Sequence, residues 1–237
     1  MKAGYLNIAL LVATGSAWAA EIADDFNRAN MIKTAYTVNV DGTGWTQAGD
    51  GVNPTGDDWF VNNNVVRLRD RQANAVMYNT ALSTVSGNGA NFTLRADVCG
   101  RLANAWVGTV FNYQDESNYY VLRIKAGAAD YQLLQRTGSG FTTLVNEDIS
   151  GSFAVLSYYS MTITSDTAGV FDFKITQQGN STVLNTVTSW EDSGSALTGG
   201  YSGLYGSYTG DHSGQFDNFN LSATPMKQLR LVVISGI

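Results

Sequence analysis

An alternation of apolar and polar residues with a period of two runs through most of this 237-residue chain. In residues 92–98, for example, Phe, Leu, Ala and Val alternate with Thr, Arg and Asp. This pattern is typical of β-strands that bury one face, and the sequence contains no long apolar stripe with the 3.6-residue period of a helix. We therefore expect an all-β protein.

Short polar segments rich in Gly, Asn, Ser or Asp separate the alternating runs. Residues 115–118 are expected to join residues 106–113 and 119–125 in a hairpin, and residues 137–140 form a second turn of this kind. Many short strands with such spacing are typical of a two-sheet antiparallel sandwich or a barrel.

Residues 1–19 have the features of an export signal. Lys2 supplies a positive charge, residues 8–13 supply a short apolar run, and Ala-Trp-Ala at the end is a small-x-small cleavage site. The apolar run is shorter than the roughly 20 residues that a membrane-spanning helix needs. We expect cleavage after Ala19 and a secreted, periplasmic or cell-surface location in a bacterium.

The length of residues 20–222 fits a single β domain, and this part of the sequence contains neither an internal repeat nor a linker. The strand pattern ends near Thr224-Pro225, so residues 223–237 are interpreted as a C-terminal tail. The tail is compatible with an added strand, a frayed end or the remnant of a cell-surface sorting signal. We expect no membrane span.

Composition restricts the expected partners. The formal net charge of −6 disfavours nucleic acid, anionic membranes and polyanionic glycans, because these partners recruit Lys and Arg. Neutral ligands or cations suit such a chain better. The single cysteine, Cys99, excludes an intrachain disulfide, and its apolar surroundings predict a buried side chain rather than a nucleophile.

Five segments carry a resemblance to a known family. Asp-Asp-Phe-Asn-Arg at residues 24–28 is matched at the other end by Gly-Gln-Phe-Asp-Asn-Phe-Asn-Leu at residues 214–221. Between them lie Asp-Trp-Phe-Val-Asn-Asn at 58–63, Asn-Tyr-Tyr-Val-Leu-Arg at 118–123 and Gly-Gly-Tyr-Ser-Gly-Leu-Tyr at 199–205. In this order they resemble the concanavalin A-like lectin/glucanase superfamily, in particular bacterial laminin G-like jelly-roll domains. The resemblance implies a two-sheet antiparallel jelly-roll sandwich whose first and last strands are adjacent.

The same resemblance implies a structural calcium ion where the first and last strands meet. Its expected ligands are Asp25 and Asp217, with Asp24 as a weaker candidate. Calcium takes six to eight oxygen ligands, so backbone carbonyls would have to supply most of them. The alternative is that these carboxylates are solvated residues at strand ends.

The acidic residues do not form the catalytic pair that glycosidases of this superfamily use. A retaining glycosidase needs two carboxylates about 5 Å apart, and in a strand only alternate residues share a face. The acidic pairs of this chain are adjacent in sequence and are expected in surface turns; they are Asp57-Asp58, Asp115-Glu116, Glu147-Asp148 and Glu191-Asp192.

A polysaccharide lyase would need a base and a group that neutralises the uronate. Tyr120, Arg123 and His212 are the weak candidates for these roles, but the lyase motifs of this fold are not found intact. The only histidine, His212, is more consistent with a surface loop.

Carbohydrate binding needs aromatic faces and planar polar groups, which this chain has in abundance. Alternation puts Tyr119 and Arg123 on one face of a strand and Tyr120 on the other, and Tyr201 and Tyr205 lie near the closing strands. Tyr119, Arg123, Tyr201 and Tyr205 are therefore the candidate ligand-binding residues. Other aromatic side chains are expected in the core, namely Trp59, Phe111, Phe173 and Phe216.

The sequence thus favours a secreted module that binds a neutral polysaccharide or cell-surface glycan and is stabilised by calcium. Two alternatives remain open. One is a polysaccharide hydrolase or lyase with an atypical active site, and the other is a surface structural or adhesion protein.

Overall fold

The computed structural model describes residues 20–26, 45–50, 59–68, 74–80, 91–179, 182–194, 196–207 and 213–223. The interpreted export signal, Asp57, Asp58, His212 and the tail beyond Ala223 lie outside the described residues. No helix long and apolar enough to cross a membrane occurs in the described part of the chain.

All regular elements of the described residues are strands. In chain order they are β1 (Ala20–Asp24), β2 (Trp45–Asp50), β3 (Trp59–Asn62), β4 (Val65–Leu68), β5 (Asn74–Asn79), β6 (Phe92–Gly100), β7 (Trp106–Asp115), β8 (Asn118–Lys125), β9 (Asp130–Thr137), β10 (Gly140–Asp148), β11 (Tyr159–Thr167), β12 (Val170–Gln177), β13 (Val183–Glu191), β14 (Tyr201–Ser207) and β15 (Gly214–Ala223).

The strands form two antiparallel sheets, which confirms the predicted architecture. The eight-stranded sheet has the order β13-β12-β11-β6-β15-β4-β3, and β1 also pairs with β15. The seven-stranded sheet has the order β10-β9-β8-β7-β14-β5-β2. The two predicted hairpins are also confirmed, because β7 pairs with β8 and β9 pairs with β10.

The main core lies between the two sheets. In β6, Phe92, Leu94, Ala96 and Val98 are buried in it, as the alternation predicts. Burial of apolar area contributes about 25 cal/mol per Å² and is the dominant force holding the sheets together. The four aromatic residues expected in the core are all at most 2% exposed; they are Trp59, Phe111, Phe173 and Phe216.

Cys99 is buried on the other face of β6, as the sequence predicts. Burial raises the pKa of its thiol to about 11, so the reactive thiolate is scarce at neutral pH.

The expectation that the acidic pairs lie in surface turns is wrong for two of them. Glu191 is the last residue of β13, and Asp192 accepts hydrogen bonds from the buried side chains of Tyr120 and Gln135. Glu147 and Asp148 lie in β10 rather than in a turn, paired with Tyr131 and Asp130 of β9. Because β10 is an edge strand, its side chains reach water, so carboxylates are tolerated within the strand. The Tyr131 hydroxyl donates a hydrogen bond to Glu147.

The first and last strands are adjacent, which confirms what the resemblance implies. β1 pairs with β15 from Ala20 opposite Ala223 to Asp24 opposite Phe219. β4 pairs with the other half of β15, over residues 214–216. Residues 217 and 218 therefore lie in the gap between these two partners, where the pairing of β15 with β6 is also irregular.

Candidate functional site

The turn between β7 and β8 joins two central strands of the seven-stranded sheet. The Asp115 carboxylate accepts hydrogen bonds from the backbone N–H of Ser117 at 2.7 Å and from the Asn118 amide at 2.9 Å. This local closure is a common role of Asp in turns. Beyond a register shift between Phe111 and Asp115, the β7–β8 pairing places Trp106 opposite Lys125, with both on the face that points away from the core.

Next to that pair, a row of residues crosses five strands on the outer face of the seven-stranded sheet. In order, this polar row consists of Asn146, Gln132, Arg123, Gly108 and Tyr205. Side chains at directly opposite positions of an antiparallel sheet are close enough to interact. The register therefore brings together polar groups that are more than 80 residues apart in the chain.

Hydrogen bonds connect the polar row. Arg123 donates to the Gln132 Oε1 from Nε at 3.0 Å and from Nη2 at 2.6 Å, and from Nη1 to the Tyr205 hydroxyl at 3.0 Å. Gln132 in turn donates to Asn146 at 2.8 Å, and the Tyr205 hydroxyl donates to Asn74 at 2.6 Å. These bonds fix the plane and position of the Arg123 guanidinium.

Gly108 lies between Arg123 and Tyr205 in the polar row and leaves the space across which they meet. A Cβ at this position would lie 2.0 Å from the Leu122 carbonyl oxygen, so no other residue fits the backbone here. The close approach of β7 and β8 at Gly108 thus depends on the missing side chain.

The Arg123 guanidinium also covers one face of Trp106, with Cζ 4.2 Å from the ring centroid. Such cation–π contacts favour a fixed arginine. Lys125 lies 5.7 Å from the same centroid and 4.0 Å from the Asp130 carboxylate. Among the residues that the structure describes, no carboxylate oxygen lies within 4.0 Å of Arg123.

A second row on this face consists of aromatic rings. Tyr201 stacks on Tyr78 at 5.4 Å, and Tyr78 stacks on Tyr113 at 4.4 Å between centroids. Tyr113 contacts Tyr119 at 5.4 Å, and Tyr119 contacts Phe141 at 5.9 Å. This aromatic row runs across β14, β5, β7, β8 and β10 beside the β7–β8 turn.

Arg136 holds one end of the aromatic row in place. Its guanidinium carbon lies 5.7 Å from the Tyr119 ring centroid and 5.3 Å from that of Phe141. Its Nη1 donates to the Tyr119 hydroxyl at 3.1 Å. Arg136 is 6% exposed, so its role here is to position the two rings.

The four predicted ligand-binding residues all lie on this outer face, but they differ in exposure. Tyr119 and Tyr205 are fully buried, whereas Arg123 and Tyr201 are partly exposed. Burial raises the pKa of Tyr205, although Arg123 opposes this shift. In this arrangement, Arg123 and Tyr201 can contact a ligand, while Tyr119 and Tyr205 hold their neighbours in position.

Sequence reasoning did not select Tyr78, Gln132 and Asn146, which belong to the same two rows. A usable signal exists for Gln132, because the short turn after β8 implies a neighbouring strand whose alternate residues share the face of Arg123. Tyr78 has no such signal, since β5 reaches this sheet through pairing with the distant strand β14.

The weak catalytic candidates are not brought together in the described part of the chain. Tyr120 points into the core, where its hydroxyl donates to Asp192 at 2.6 Å and accepts from the Leu197 N–H at 2.9 Å. Burial and the Asp192 carboxylate raise the pKa of Tyr120. Arg123 lies on the opposite face of β8, and His212 lies outside the described residues.

The carboxylates expected to bind calcium lie at the junction of β1 and β15. Asp24 is buried and accepts hydrogen bonds from the Phe26 N–H and from Trp45 Nε1, both at 2.9 Å. Asp25 is exposed and Asp217 is partly exposed. Burial raises the pKa of Asp217, and the neighbouring carboxylates Asp97, Asp25 and Asp24 raise it further.

This donor set fits an oxygen-bound cation only in part. Among the described residues, no three His, Cys, Asp or Glu side chains are grouped so as to hold a metal ion. The mutual repulsion at Asp217 would be relieved by a cation, with Asp25 and Asp217 as side-chain ligands and backbone oxygens as the remainder. Asp24 is less suited, because both of its oxygens already accept hydrogen bonds.

No protein-family model matches the chain, and no curated protein is similar to it in sequence. Solved structures do match. The CBM2 module of the evolved Dit protein of Lactobacillus casei BL23 phage J-1 has a TM-score of 0.57 and 14% identity, over 88% of this chain and 97% of that one. The carbohydrate-binding module CBM66 from Bacillus subtilis has a TM-score of 0.50 and 16% identity, over 77% and 93%.

A third similar structure is the alginate lyase Aly36B in complex with an alginate tetrasaccharide, with a TM-score of 0.52 and 10% identity over 88% of this chain and 98% of that one. At these identities the likeness concerns the fold. The fold is an all-β, two-sheet antiparallel jelly-roll sandwich.

Proposed function

We propose that this protein is an exported, laminin G-like jelly-roll module that binds a neutral glycan on the outer face of the seven-stranded sheet. The observation that carries the proposal is the set of partly exposed groups on this face, in which Trp106, Tyr78 and Tyr201 accompany Arg123. Aromatic rings suit the apolar faces of sugars, and fixed planar donors suit their hydroxyl groups.

Arg123 is suited to donate hydrogen bonds to sugar hydroxyls without moving. A guanidinium has five N–H groups, and three hydrogen bonds hold Arg123 within the polar row. One N–H remains on each terminal nitrogen. No carboxylate competes for them among the described residues, so a ligand hydroxyl can accept them.

The two rows together favour an oligosaccharide over a single sugar. Tyr201 of the aromatic row and Tyr205 of the polar row are four residues apart in β14, a distance of about 13 Å along a strand. A ligand that contacts both Tyr201 and Arg123 must span several sugar units. The names of two similar structures, both carbohydrate-binding modules, support this class of ligand.

The proposal includes a structural calcium ion at the β1–β15 junction and export from a bacterial cell. Relief of the repulsion around Asp217 supports the ion. Removal of residues 1–19 would leave the described strands intact, because β1 begins at Ala20. Export is tested by N-terminal sequencing of the protein recovered outside the bacterial cytoplasm, which should begin at Ala20.

A glycan array of neutral polysaccharides, probed with and without a calcium chelator, tests the binding proposal. Tyr201→Ala and Arg123→Gln should each weaken binding about fivefold or more, which corresponds to about 1 kcal/mol. Phe60→Ala is the matched control, because Phe60 is a partly exposed aromatic residue in β3 of the other sheet. The proposal fails if no neutral glycan binds under either condition.

The same polysaccharides should also be recovered and examined for cleavage. New reducing ends would indicate a hydrolase, and unsaturated ends from a uronate polymer included in the same assay would indicate a lyase. If either product forms, and is lost in the Arg123→Gln variant, the protein is an enzyme that acts on this face rather than a binding module.

A further inference from the structure

A cluster of cationic and phenolic side chains lies on the outer face of the eight-stranded sheet, opposite the proposed glycan face. The register places Arg67 of β4 beside Gln215 of β15. Arg101 directly follows β6, and its backbone N–H donates to the Ser213 carbonyl at 2.9 Å. With Tyr158, which lies just before β11, these residues form what we call the arginine cluster.

The Gln215 amide links Arg67 to Tyr158. We assign its carbonyl oxygen to the side of Arg67, where it accepts from Nε at 3.0 Å and from Nη2 at 3.1 Å. Its nitrogen then faces the Tyr158 hydroxyl at 3.3 Å and donates to it. Within the described part of the chain, this arrangement leaves the phenolic proton of Tyr158 without an acceptor.

Two further polar groups of the cluster lack a partner in the residues described by the structure. They are the buried Nε of Arg101 and the hydroxyl of Ser213, a fully buried residue. A buried donor without an acceptor costs free energy that a bound acceptor would recover. Several hydrogen-bond donors of the cluster therefore lack an acceptor among the described residues.

The two arginines of the cluster also lack an ion-pair partner among the described residues. Among the described residues, no carboxylate oxygen lies within 4.0 Å of either Arg67 or Arg101. Burial lowers the pKa of Arg67, and the charge of the nearby Arg101 lowers it further. Two neighbouring arginines without a carboxylate partner are notable in a chain whose net charge is −6.

The acidic residues of the same face have hydrogen-bond partners outside the arginine cluster. Asp97 is fully buried and accepts hydrogen bonds from Gln178 at 2.9 Å, from Asn218 at 2.8 Å and from Ser160. Asp217 accepts from the Asn218 N–H at 2.8 Å. No hydrogen bond or ion pair joins either carboxylate to the arginine cluster, although the charge of Asp217 acts on Tyr158 at longer range.

We propose that Arg67, Arg101 and Tyr158 form a site for an oxyanion, namely a carboxylate or sulfate group, on the outer face of the eight-stranded sheet. Guanidinium groups bind such anions through paired, charge-assisted hydrogen bonds, and a phenol adds a third donor. The site is separate from the proposed glycan face, which belongs to the other sheet, so it adds a second ligand group to the molecule.

Isothermal titration calorimetry with sodium sulfate and with sodium glucuronate tests this site, with sodium chloride and glucose as the matched probes. We expect saturable binding of sulfate, glucuronate or both, and no binding of glucose at the arginine cluster. The preferred oxyanion identifies the ligand group. The double variant R67Q/R101Q should weaken binding about tenfold or more, and Tyr158→Phe should weaken it less.

Arg95→Gln is the control, because Arg95 is an exposed arginine of β6 that already lies 3.9 Å from Asp97. It should bind as the unmodified protein does. Should R67Q/R101Q fold poorly, the side-chain Nε–H signals of Arg67 and Arg101 in the unmodified protein should shift on titration in NMR spectra. The proposal is overturned if neither oxyanion binds saturably, or if these two signals stay unchanged while others shift.

Discussion

Gly108 is a residue whose missing side chain shapes the candidate glycan face. A Cβ there would lie 2.0 Å from the Leu122 carbonyl oxygen and 2.8 Å from the Arg123 Cα. Both obstacles are backbone atoms, so relief of the clash requires β7 and β8 to separate. Gly108→Ala should therefore lower the free energy of unfolding by about 1–3 kcal/mol, measured by urea denaturation.

Gly140→Ala is the matched control for this substitution. Gly140 also lies in a strand of the seven-stranded sheet, but a Cβ there would meet no atom within 4 Å. Its effect should stay within about 0.5 kcal/mol. Equal effects of the two substitutions would show that the close approach at Gly108 is not required.

Asp217 should make stability depend on pH when calcium is removed. Its pKa in the folded protein is raised above the ordinary 3.8, mainly by burial, so the folded chain holds this proton more tightly than the unfolded chain does. The resulting stabilisation is present at low pH and is lost as the pH rises from 3.8 through the raised pKa. At neutral pH the ionised carboxylate opposes folding.

Asp217→Asn removes that charge and keeps an oxygen that can accept from the Asn218 N–H. In a chelator at pH 7, this variant should be more stable than the unmodified protein, and the difference should shrink towards pH 4. Denaturation curves at several pH values measure it, with the exposed Asp148→Asn as control. An Asp217→Asn variant that is less stable at pH 7 would contradict the prediction.

At the scale of the elements, Asp24 connects the two sheets at the end of β1. Its carboxylate accepts from Trp45 Nε1 at 2.9 Å, and Trp45 begins β2 of the seven-stranded sheet. Asp24→Ala would leave this indole N–H and the Phe26 N–H without their acceptor in a buried place. The expected cost is about 1–3 kcal/mol in the free energy of unfolding.

Hydrogen exchange should show which strands the Asp24→Ala substitution destabilises. We expect faster exchange of the β1 amides that are paired to β15. Asp25→Ala, measured in a chelator, is the control, because Asp25 is the exposed neighbour. The assignment of Asp24 as a connector fails if both variants lose the same stability.

Most strands of the core were predictable from the sequence, because a buried face imposes alternation on each of them. The β7–β8 and β9–β10 hairpins were predictable from their turn residues. Alternation alone does not reveal pairing between distant strands, so the contact of β5 with β14 could not be predicted. It also does not distinguish a turn from an exposed edge strand, which is why Glu147 and Asp148 were misplaced.

For the candidate glycan face, the sequence predicts which residues lie on the same side of a strand. Alternation within β8 and β14 put Tyr119 with Arg123 and Tyr201 with Tyr205. Exposure could not be predicted, since it depends on cross-strand neighbours. Tyr119 is covered in part by Tyr113, which reaches it across an irregular part of the β7–β8 pairing.

At the scale of the whole molecule, the outer faces of the two sheets carry different chemical groups. The seven-stranded sheet presents aromatic rings and one fixed arginine, whereas the eight-stranded sheet presents the arginine cluster and the carboxylates near β15. β15 joins β1, β4 and β6, and it carries both the proposed calcium junction and one side of the arginine cluster. Binding or loss of a ligand at this strand should therefore change the stability of the whole sandwich.

Removal of calcium should for this reason lower the melting temperature of the whole domain. A ligand at 100 times its Kd stabilises a protein by about 2.7 kcal/mol, which is about 5–10 °C for a domain of this size. Differential scanning calorimetry in calcium and in a chelator measures the shift, with magnesium as the competing ion. The double variant D25N/D217N should melt at one temperature in both conditions, whereas Asp148→Asn should keep the shift. A shift that survives in D25N/D217N would place the ion elsewhere in the molecule.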